Sequence, residues 1–434
     1  MSLLVPFELK PLLFAPVAVF GGGVSGRAVV ELVAALGGHA VLYDEKGGEG
    51  QVSVFDANAS KAHRLVVFSP GFRMDHPWLL QAAAARCVCW AELDLASLFW
   101  RGEVLAITGT NGKTTLTEFI THALRDLGLD AFATGNIGHS FCRLVLEQEA
   151  GKGGAIAVCE VSSFQAETLW HFRADAVLWT NFAEDHLERH PGLRAYFSAK
   201  MQLVESCRSG RVFAGSSVSA YAEVMGFSMP EGASLPTLGL GADESLKGTV
   251  FEAYPQRENF EMAAAWWLSK GRSLETLRAS AKTFKLGRHR LGLVAEIAGV
   301  QWWNDSKATN FHAVEAALER FGRPVVLIAG GKAKGGDIQA FVERIAPRVR
   351  HVFLIGETRE SLAQACGTFA VPHCVCTTFE EALAGAAAKA VAGEQILLSP
   401  GFASFDMFRG YDHRGDIFEN WIRARALLSL PLSS

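Results

Sequence analysis

Lys113, Thr114 and Thr115 stand directly behind the glycine-punctuated turn Gly109-Thr110-Asn111-Gly112, which itself follows the apolar run VLAI at 104–107. From Lys113 an amphipathic pattern continues to about Leu127. A strand that feeds a tight glycine loop into a helix N-terminus builds an anion site. Unpaired backbone N–H groups and the helix dipole face one point, a lysine adds charge, and a neighbouring hydroxyl can ligate Mg²⁺. That chemistry suits the phosphates of ATP. The match to the general P-loop pattern is incomplete, because its first glycine falls on Ile107. An ordinary glycine-rich turn beside a surface lysine is the alternative.

Other groups could complete such a site. The string EVSSFQ at 160–165 puts the carboxylate of Glu160 at the end of an apolar run, and NFAEDH at 181–186 does the same with Glu184, Asp185 and His186. Mg²⁺ takes hard oxygen ligands and keeps several waters, so Glu160, the Thr114 hydroxyl and phosphate oxygens suffice. Taken singly, His186 reads as a structural or surface histidine and Asp185 as a helix cap. Lys200, within the helical pattern AYFSAKMQLV, reads as a solvated face residue. Farther on, Arg290, Asp305, Lys307, Lys334 and Ser404 offer cations and hydroxyls that could close over an anionic intermediate.

These residues need strands and helices to hold them, and the pattern supplies three α/β segments. We place their boundaries at 1–97, 98–286 and 287–434. The first opens with a strand over 12–20, then Gly21-x-Gly23-x-x-Gly26, a helix, and a second strand ending at Asp44. That dinucleotide fingerprint suggests NAD or FAD, or more generally a ligand with phosphates and a ribose. Ser69-Pro70-Gly71 forms a second loop at the same sheet edge. In the second segment, apolar runs before Gly109 and at 131–134, 156–159 and 176–179 each end in polar residues. In a parallel sheet such residues converge beyond the carboxyl ends of the strands. The third repeats this grammar at 300–303, 325–329 and 396–398, the last leading into Ser399-Pro400-Gly401 and a helix opened by Ser404. Residues 216–247 carry no assignable role.

Composition narrows the class. The chain has 434 residues, 49% hydrophobic and 20% charged, which is ample for about three globular domains. A net charge of −4 without a basic stripe argues against nucleic acid as a partner. The run at 12–20 lacks a cleavage pattern and no apolar stretch is long enough for a bilayer, so a cytoplasmic protein without membrane insertion is expected. The eight cysteines show no C-x-x-C or zinc spacing and are expected reduced.

Taken together the strings resemble the Mur ligase family of peptidoglycan synthesis. They are ITGTNGKTT, GNIG, EVSSFQ, NFAEDHLERH, Lys200, the His289-Arg290 pair, NDSKATN, GGKAKGGD and LLSPGFASFDMFRGYDHRG, in family order from residue 20 to 415. The resemblance implies a Rossmann-like first domain for a UDP-linked substrate, a central P-loop-type ATPase domain with a mostly parallel sheet, and a Rossmann-like third domain. It implies an ATP-dependent acid–amino-acid ligase of cell-wall biogenesis, acting as a monomer through an acyl phosphate. Length and the strings GGGVSG, EVSSFQ and SPGFASFDMF point to the branch that joins glutamate to UDP-N-acetylmuramoyl-L-alanine. D-glutamate is the family pattern, with L-glutamate or another amino acid as the alternative. Arg288, Gly292, Phe402 and Tyr411 depart from residues common in that branch.

By matched motif, the resemblance gives the ATP site Gly109, Thr110, Asn111, Gly112, Lys113, Thr114, Thr115, Asn259, Arg290 and Asp305. It gives the metals, two Mg²⁺ by family pattern, to Thr114, Glu160, His186 and a carbamylated Lys200. Catalysis falls to Lys113, His186, Lys200 and Lys307. The UDP substrate falls to Val24, Ser25, Glu45, Lys46, Ser69, Pro70, Gly71, Asn136, Ser162 and Gln165, so the fingerprint is not an NAD site. Glutamate falls to Thr309, Lys334, Ser404, Phe405 and Tyr411.

Overall fold

Strands of the type VAVF and LVVF, apolar at every position, can only be buried on both faces, and they read as parallel sheets covered by helices. The computed structural model describes residues 3–233 and 243–428. Among these, fifteen strands form three sheets, and the chain divides into two compact units.

The first unit comprises Met1–Phe182, Arg194–Ser245 and Glu258–Phe284 and holds two sheets. One contains β1 (Val17–Phe20), β2 (Ala40–Tyr43), β3 (Leu65–Phe68) and β4 (Val88–Ala91) in the order β2-β1-β3-β4, all parallel. The expected strand over 12–20 is shorter at its start. A 3₁₀ turn occupies Lys10–Leu12, and β1 begins only after Pro16, which has no N–H for a ladder. The helix Val24–Ala35 lies so close to β1 that a Cβ on Gly26 would sit 1.8 Å from the Gly21 carbonyl oxygen.

The second sheet has β5 (Glu103–Thr108), β6 (Ala131–Gly135), β7 (Ile156–Glu160), β8 (Ala176–Trp179) and β9 (Val212–Ala214), in the order β6-β7-β5-β8-β9 and again parallel. Its centre is β5, flanked by β7 and β8, so the loop after β5 faces polar residues from both sides. Within 216–247 a helix spans Ser216–Met225, and residues 234–242 lie outside the described part.

Two buried acids on the short helix Glu92–Ser97 fasten these sheets to each other. Asp94 Oδ1 accepts the backbone N–H groups of Trp170, His171 and Phe172 at 2.8–2.9 Å. Glu92 Oε1 accepts the Cys142 N–H at 2.6 Å. An ion pair between Arg143 and Glu31 adds a surface link.

The second unit comprises Ala183–Leu193, Leu246–Arg257 and Lys285–Ser434. Its sheet contains β10 (Gly292–Ile297), β11 (Val300–Asn304), β12 (Val325–Gly330), β13 (Val349–Ile355), β14 (His373–Val375) and β15 (Gln395–Leu398). The order is β10-β11-β15-β12-β13-β14, with only β10 antiparallel. Helices Phe311–Glu319, Ile338–Ile345 and Arg359–Thr368 bury Phe311, Phe341 and Leu362 on one face; Phe379–Lys389 and Tyr411–Leu428 bury Phe379 and Phe418 on the other. The helix expected to open at Ser404 does not form. Ala403 bridges to Lys332 in antiparallel fashion, which holds the chain extended there, and turns run on until the helix begins at Tyr411.

Burial pushes the Glu92 carboxyl from its ordinary 4.5 up to about 7. Between those values the folded protein keeps a proton that the unfolded chain has released, so this group's contribution to stability falls as pH rises through the window. Glu92→Gln keeps an acceptor for the Cys142 N–H and removes the ionisation. The variant should therefore match the parent near pH 5 and exceed it by roughly 1–3 kcal/mol at pH 8. Thermal melts at the two pH values check this; a Tm difference independent of pH would refute it.

Candidate active site

The loop after β5 has its shape because two glycines allow it. Gly109 has φ +147°, and a Cβ there would lie 1.9 Å from Thr180 Oγ1; Gly112 has φ +83°, and a Cβ there would lie 2.6 Å from Asn259 Oδ1. Residues from the end of β8 hold the loop's other side. Thr110 N–H donates to the Asn181 carbonyl at 3.0 Å, Asn111 N–H to Asn181 Oδ1 at 2.9 Å, and Thr180 Oγ1 to the Asn111 carbonyl at 2.6 Å. The helix Lys113–Asp126 starts immediately, with Thr114 half-buried and Thr115 buried in its first turn.

Two ammonium groups meet on one oxygen of this loop. Lys113 Nζ donates to the carbonyls of Gly109 and Thr110, each at 2.9 Å. Lys200, on the helix Leu193–Glu205, is 1% exposed and also donates to the Gly109 carbonyl at 2.9 Å and to Thr108 Oγ1 at 3.2 Å. Its Nζ lies 5.0 Å from the Tyr196 ring centroid. The sequence alone gave Lys200 a solvated face; burial beside the loop is a tertiary result.

Glu160 ends β7 opposite Ile107 of β5. Its Oε1 accepts from Asn136 Nδ2 at 3.0 Å, while Oε2 is buried and has no hydrogen-bond partner. A buried carboxylate oxygen left open beside a phosphate-type loop is a fit for a divalent cation. Among the described residues no group of three or more His, Cys, Asp or Glu side chains forms a protein-only metal cage. Such a cation would therefore complete its shell with hydroxyl, phosphate and water oxygens. Ser162 and Gln165 are engaged with each other in a capping box. Ser162 N–H donates to Gln165 Oε1 at 3.0 Å, and Gln165 N–H donates to Ser162 Oγ at 3.3 Å.

At the first sheet, the loops after β1, β2 and β3 gather Val24, Ser25, Glu45, Lys46, Ser69, Pro70 and Gly71. Asp44 is already occupied: it accepts the N–H groups of Gly22 at 2.7 Å and Lys46 at 3.0 Å. Those bonds, Gly22's first, hold its carboxyl below the usual range. A Cβ on Gly21 would stand 2.8 Å from Ser69 Oγ, so the first and third loops touch. Glu45 is exposed and pairs with His76 at 3.3 Å.

In the second unit, Asp305 accepts from Leu291 N–H at 3.0 Å and from Ser399 Oγ at 2.9 Å. Burial pushes it to about 7, while the charge of Arg290 pulls the other way. Lys307 Nζ lies 3.3 Å from Tyr411 Oη and 4.9 Å from its ring centroid. A small pocket is lined by Glu184, Asp185, Thr309, Asn310, Lys334 and Gly401, among others. Within it Lys334 Nζ donates to Thr309 Oγ1 at 3.3 Å and pairs loosely with Asp185 at 3.8 Å, and Asn310 Nδ2 donates to Asp185 Oδ2 at 3.0 Å. Ser404 (buried), Phe405 (71% exposed) and Tyr411 do not line this pocket. His186 belongs to this unit, with φ +58° and a ring nitrogen 3.3 Å from Glu188; burial pushes its imidazole below the usual range.

Sequence reasoning assigned no role to Asn310, Thr180, Asn181 or Arg414. Fully buried Arg414 donates to Ser306 Oγ at 3.0 Å, to the Ser306 carbonyl at 2.7 Å and to the Phe402 carbonyl at 3.4 Å. It thereby joins the loop carrying Asp305 and Lys307 to the loop carrying Ser404. Neither periodicity nor spacing signals such a contact across more than one hundred residues, and two of the three partner atoms are backbone oxygens that no residue type marks.

The chain is similar to known proteins in sequence and in fold. Residues 107–276 match the Mur ligase middle domain, and residues 289–402 match the Mur ligase glutamate ligase domain. The UDP-N-acetylmuramoylalanine–D-glutamate ligase of Nitratidesulfovibrio vulgaris (strain DP4) is 38% identical over 369 residues, covering 83% of this chain and 82% of the relative. That of Chlamydia pneumoniae is 32% identical over 437 residues, covering 94% and 98%. Among solved structures, a pseudomurein peptide ligase type C from Methanothermus fervidus matches with a TM-score of 0.59 at 15% identity, covering 94% of this chain and 100% of that one. A MurF ligase from Thermotoga maritima in complex with ADP matches with a TM-score of 0.56 at 16% identity, covering 94% and 95%. At such identities the structures speak for the fold; the sequence relatives, matched over most of their length, show that the chain belongs to the Mur ligase family.

Proposed function

We propose that this protein ligates D-glutamate to UDP-N-acetylmuramoyl-L-alanine at the expense of ATP, as a cytoplasmic monomer in peptidoglycan precursor synthesis. The observation that carries the reading is the loop after β5: two lysines converge on the Gly109 carbonyl, and the open Glu160 Oε2 ends the neighbouring strand. Relatives named for that reaction match over most of this chain.

A carboxylate is a poor electrophile, and phosphorylation gives it a leaving group. In our reading the γ-phosphoryl group of ATP passes to the carboxylate of the UDP substrate. The glutamate amine then attacks the acyl phosphate, and the tetrahedral adduct collapses to amide and phosphate with loss of the amine proton. The loop from Gly109 to Thr115, with the N-terminus of its helix and Lys113, holds the phosphates. Asn259, Arg290 and Asp305 serve the rest of the nucleotide. Thr114 Oγ1 and Glu160 Oε2 would hold a Mg²⁺, which supplies charge neutralisation on the transferred phosphoryl group. Lys200 as a carbamate, together with His186, would hold a second. Lys307 steadies the charge developing at the reacting carboxyl. The loops carrying Val24, Ser25, Glu45, Lys46, Ser69, Pro70 and Gly71 take the uridine diphosphate, with Asn136, Ser162 and Gln165 on the side nearer the reaction. Thr309 and Lys334 receive a glutamate carboxylate, with Ser404, Phe405 and Tyr411 beside them.

Phosphate release with UDP-N-acetylmuramoyl-L-alanine, ATP and a panel of D- and L-amino acids tests the reaction. Release should require the UDP substrate and be fastest with D-glutamate. Lys113→Ala should lower turnover by about 10²–10³, the usual loss for one donor of a preorganised anion clamp. Release that is fastest with L-glutamate or with another amino acid would replace the substrate, and NAD(H)-dependent chemistry would replace the class.

Lys334 leads to a sharper expectation. Its ammonium stands between Thr309 and Asp185, so Lys334→Ala removes a charged hydrogen bond worth about 1.5–3 kcal/mol and leaves Asp185 facing the pocket. KM for glutamate should rise roughly ten- to hundredfold while KM for ATP stays within a factor of a few. The reverse pattern would move Lys334 to the nucleotide site.

For Lys200, a carbamate would exchange a donor ammonium for an oxygen-donor anion. A ¹³C carbamate resonance after labelling with bicarbonate, absent in Lys200→Arg, together with activity that falls when carbon dioxide is stripped, is the expected result. A bare ammonium with activity indifferent to carbon dioxide would remove it.

A further inference from the structure

We infer that Asn136 acts on Glu160 as a positioning residue that fixes which carboxylate oxygen is offered to the cation, in addition to its place on the substrate side. This rests on the reading above that Glu160 is a metal ligand.

The end of β6 is bolted to the end of β7 at this point. Gly135 has φ +88°, and a Cβ there would lie 2.2 Å from the Glu160 carbonyl oxygen, so only glycine lets the two strand ends approach so closely. The next residue makes two bonds to Glu160. Asn136 N–H donates to the Glu160 carbonyl at 2.9 Å, and Asn136 Nδ2 donates to Oε1 at 3.0 Å. The turn that follows closes on itself: Gly135 N–H and Thr134 Oγ1 both donate to the His139 carbonyl at 2.9 Å. Asn136 is therefore held from both sides, and its amide reaches from an exposed position onto a carboxyl group that is 2% exposed.

The consequence lies in the two oxygens of Glu160. Oε1 has a donor, while Oε2 is equally buried and has none. A free carboxylate turns about its last torsion and its oxygens exchange. The amide on Oε1 stops that rotation, so one lone-pair direction of Oε2 stays aimed and unsolvated. Leaving a buried carboxylate oxygen without a donor is unfavourable by itself, and a cation on Oε2 relieves that penalty. Such an outer partner typically sets metal affinity by about ten- to hundredfold.

The test is a double-mutant cycle on the full-length protein, read by Mn²⁺ titration with electron paramagnetic resonance. Asn136→Ala should weaken Mn²⁺ binding about tenfold. In a Glu160→Gln background the same change should weaken Mn²⁺ no further, since Asn136 has lost the group it acts through. Asn136→Ser, too short to reach Oε1, should repeat the Ala result and replaces it if the Ala variant does not fold. The inference is overturned if Mn²⁺ affinity is unmoved, or if Asn136→Ala weakens Mn²⁺ as much in the Glu160→Gln background as beside Glu160. Should Glu160→Gln itself leave Mn²⁺ affinity unchanged, the metal-ligand reading fails, and the inference with it.

Discussion

The carbonyl oxygen of Gly109 accepts hydrogen bonds from two lysine ammoniums, Lys113 and Lys200, and the surrounding architecture follows from that requirement. Both donors reach it where the loop turns between β5 and the helix Lys113–Asp126. That turn needs positive φ at Gly109 and Gly112, and contact distances that exclude a Cβ at either position. The loop in turn needs a wall, which Thr180 and Asn181 supply from the end of β8. The ammonium of Lys113 is thus fixed at one spot before any ligand arrives. Little reorganisation is then left for the moment of reaction, which is where preorganised electrostatics gains its advantage.

The parallel sheets are the reason polar groups gather there. Every residue of β7 and β8 is buried, so these strands offer no polar side chain until their carboxyl ends. Chemistry is pushed to that edge in all three sheets: Gly21 and Asp44, Gly109 and Glu160, Asp305 and Ser399. The same geometry gathers polar loops at the carboxyl ends of the strands three times, each with different side chains around it. Asp44 illustrates this, since its carboxylate is tied to Gly22 and Lys46 and shapes the glycine loop from within.

Rigidity is distributed unevenly. In the first unit the acids Glu92 and Asp94 pin two sheets through backbone N–H groups, and Asn136 pins two strand ends. In the second, Arg414 performs a comparable task with a guanidinium and three backbone or hydroxyl oxygens. Each device sets a polar or charged side chain against fixed dipoles, and its hydrogen bonds hold the loops in place because they are directional.

Local patterns in the sequence determined the α/β class, the parallel sheets, the glycine loop with its helix and the position of Glu160 at a strand end. All of these depend on neighbours within a few residues: continuous apolar runs, glycine spacing and helical periodicity. Five strands escaped notice: β4, whose run VCWA is short but unbroken, and four others whose local signal is broken. In β13 the run VRHVFLI is interrupted by Arg350 and His351, β9 and β14 are three residues long, and β10 is half exposed on an edge. Tertiary structure alone decided that Lys200 is buried on the loop, that Ser404 sits in a turn because Ala403 pairs with Lys332, and that Asn136 grips one oxygen of Glu160 and leaves the other open. Each of those outcomes depends on atoms brought together from distant or non-periodic positions, and no residue type carries that information until the chain has closed around it.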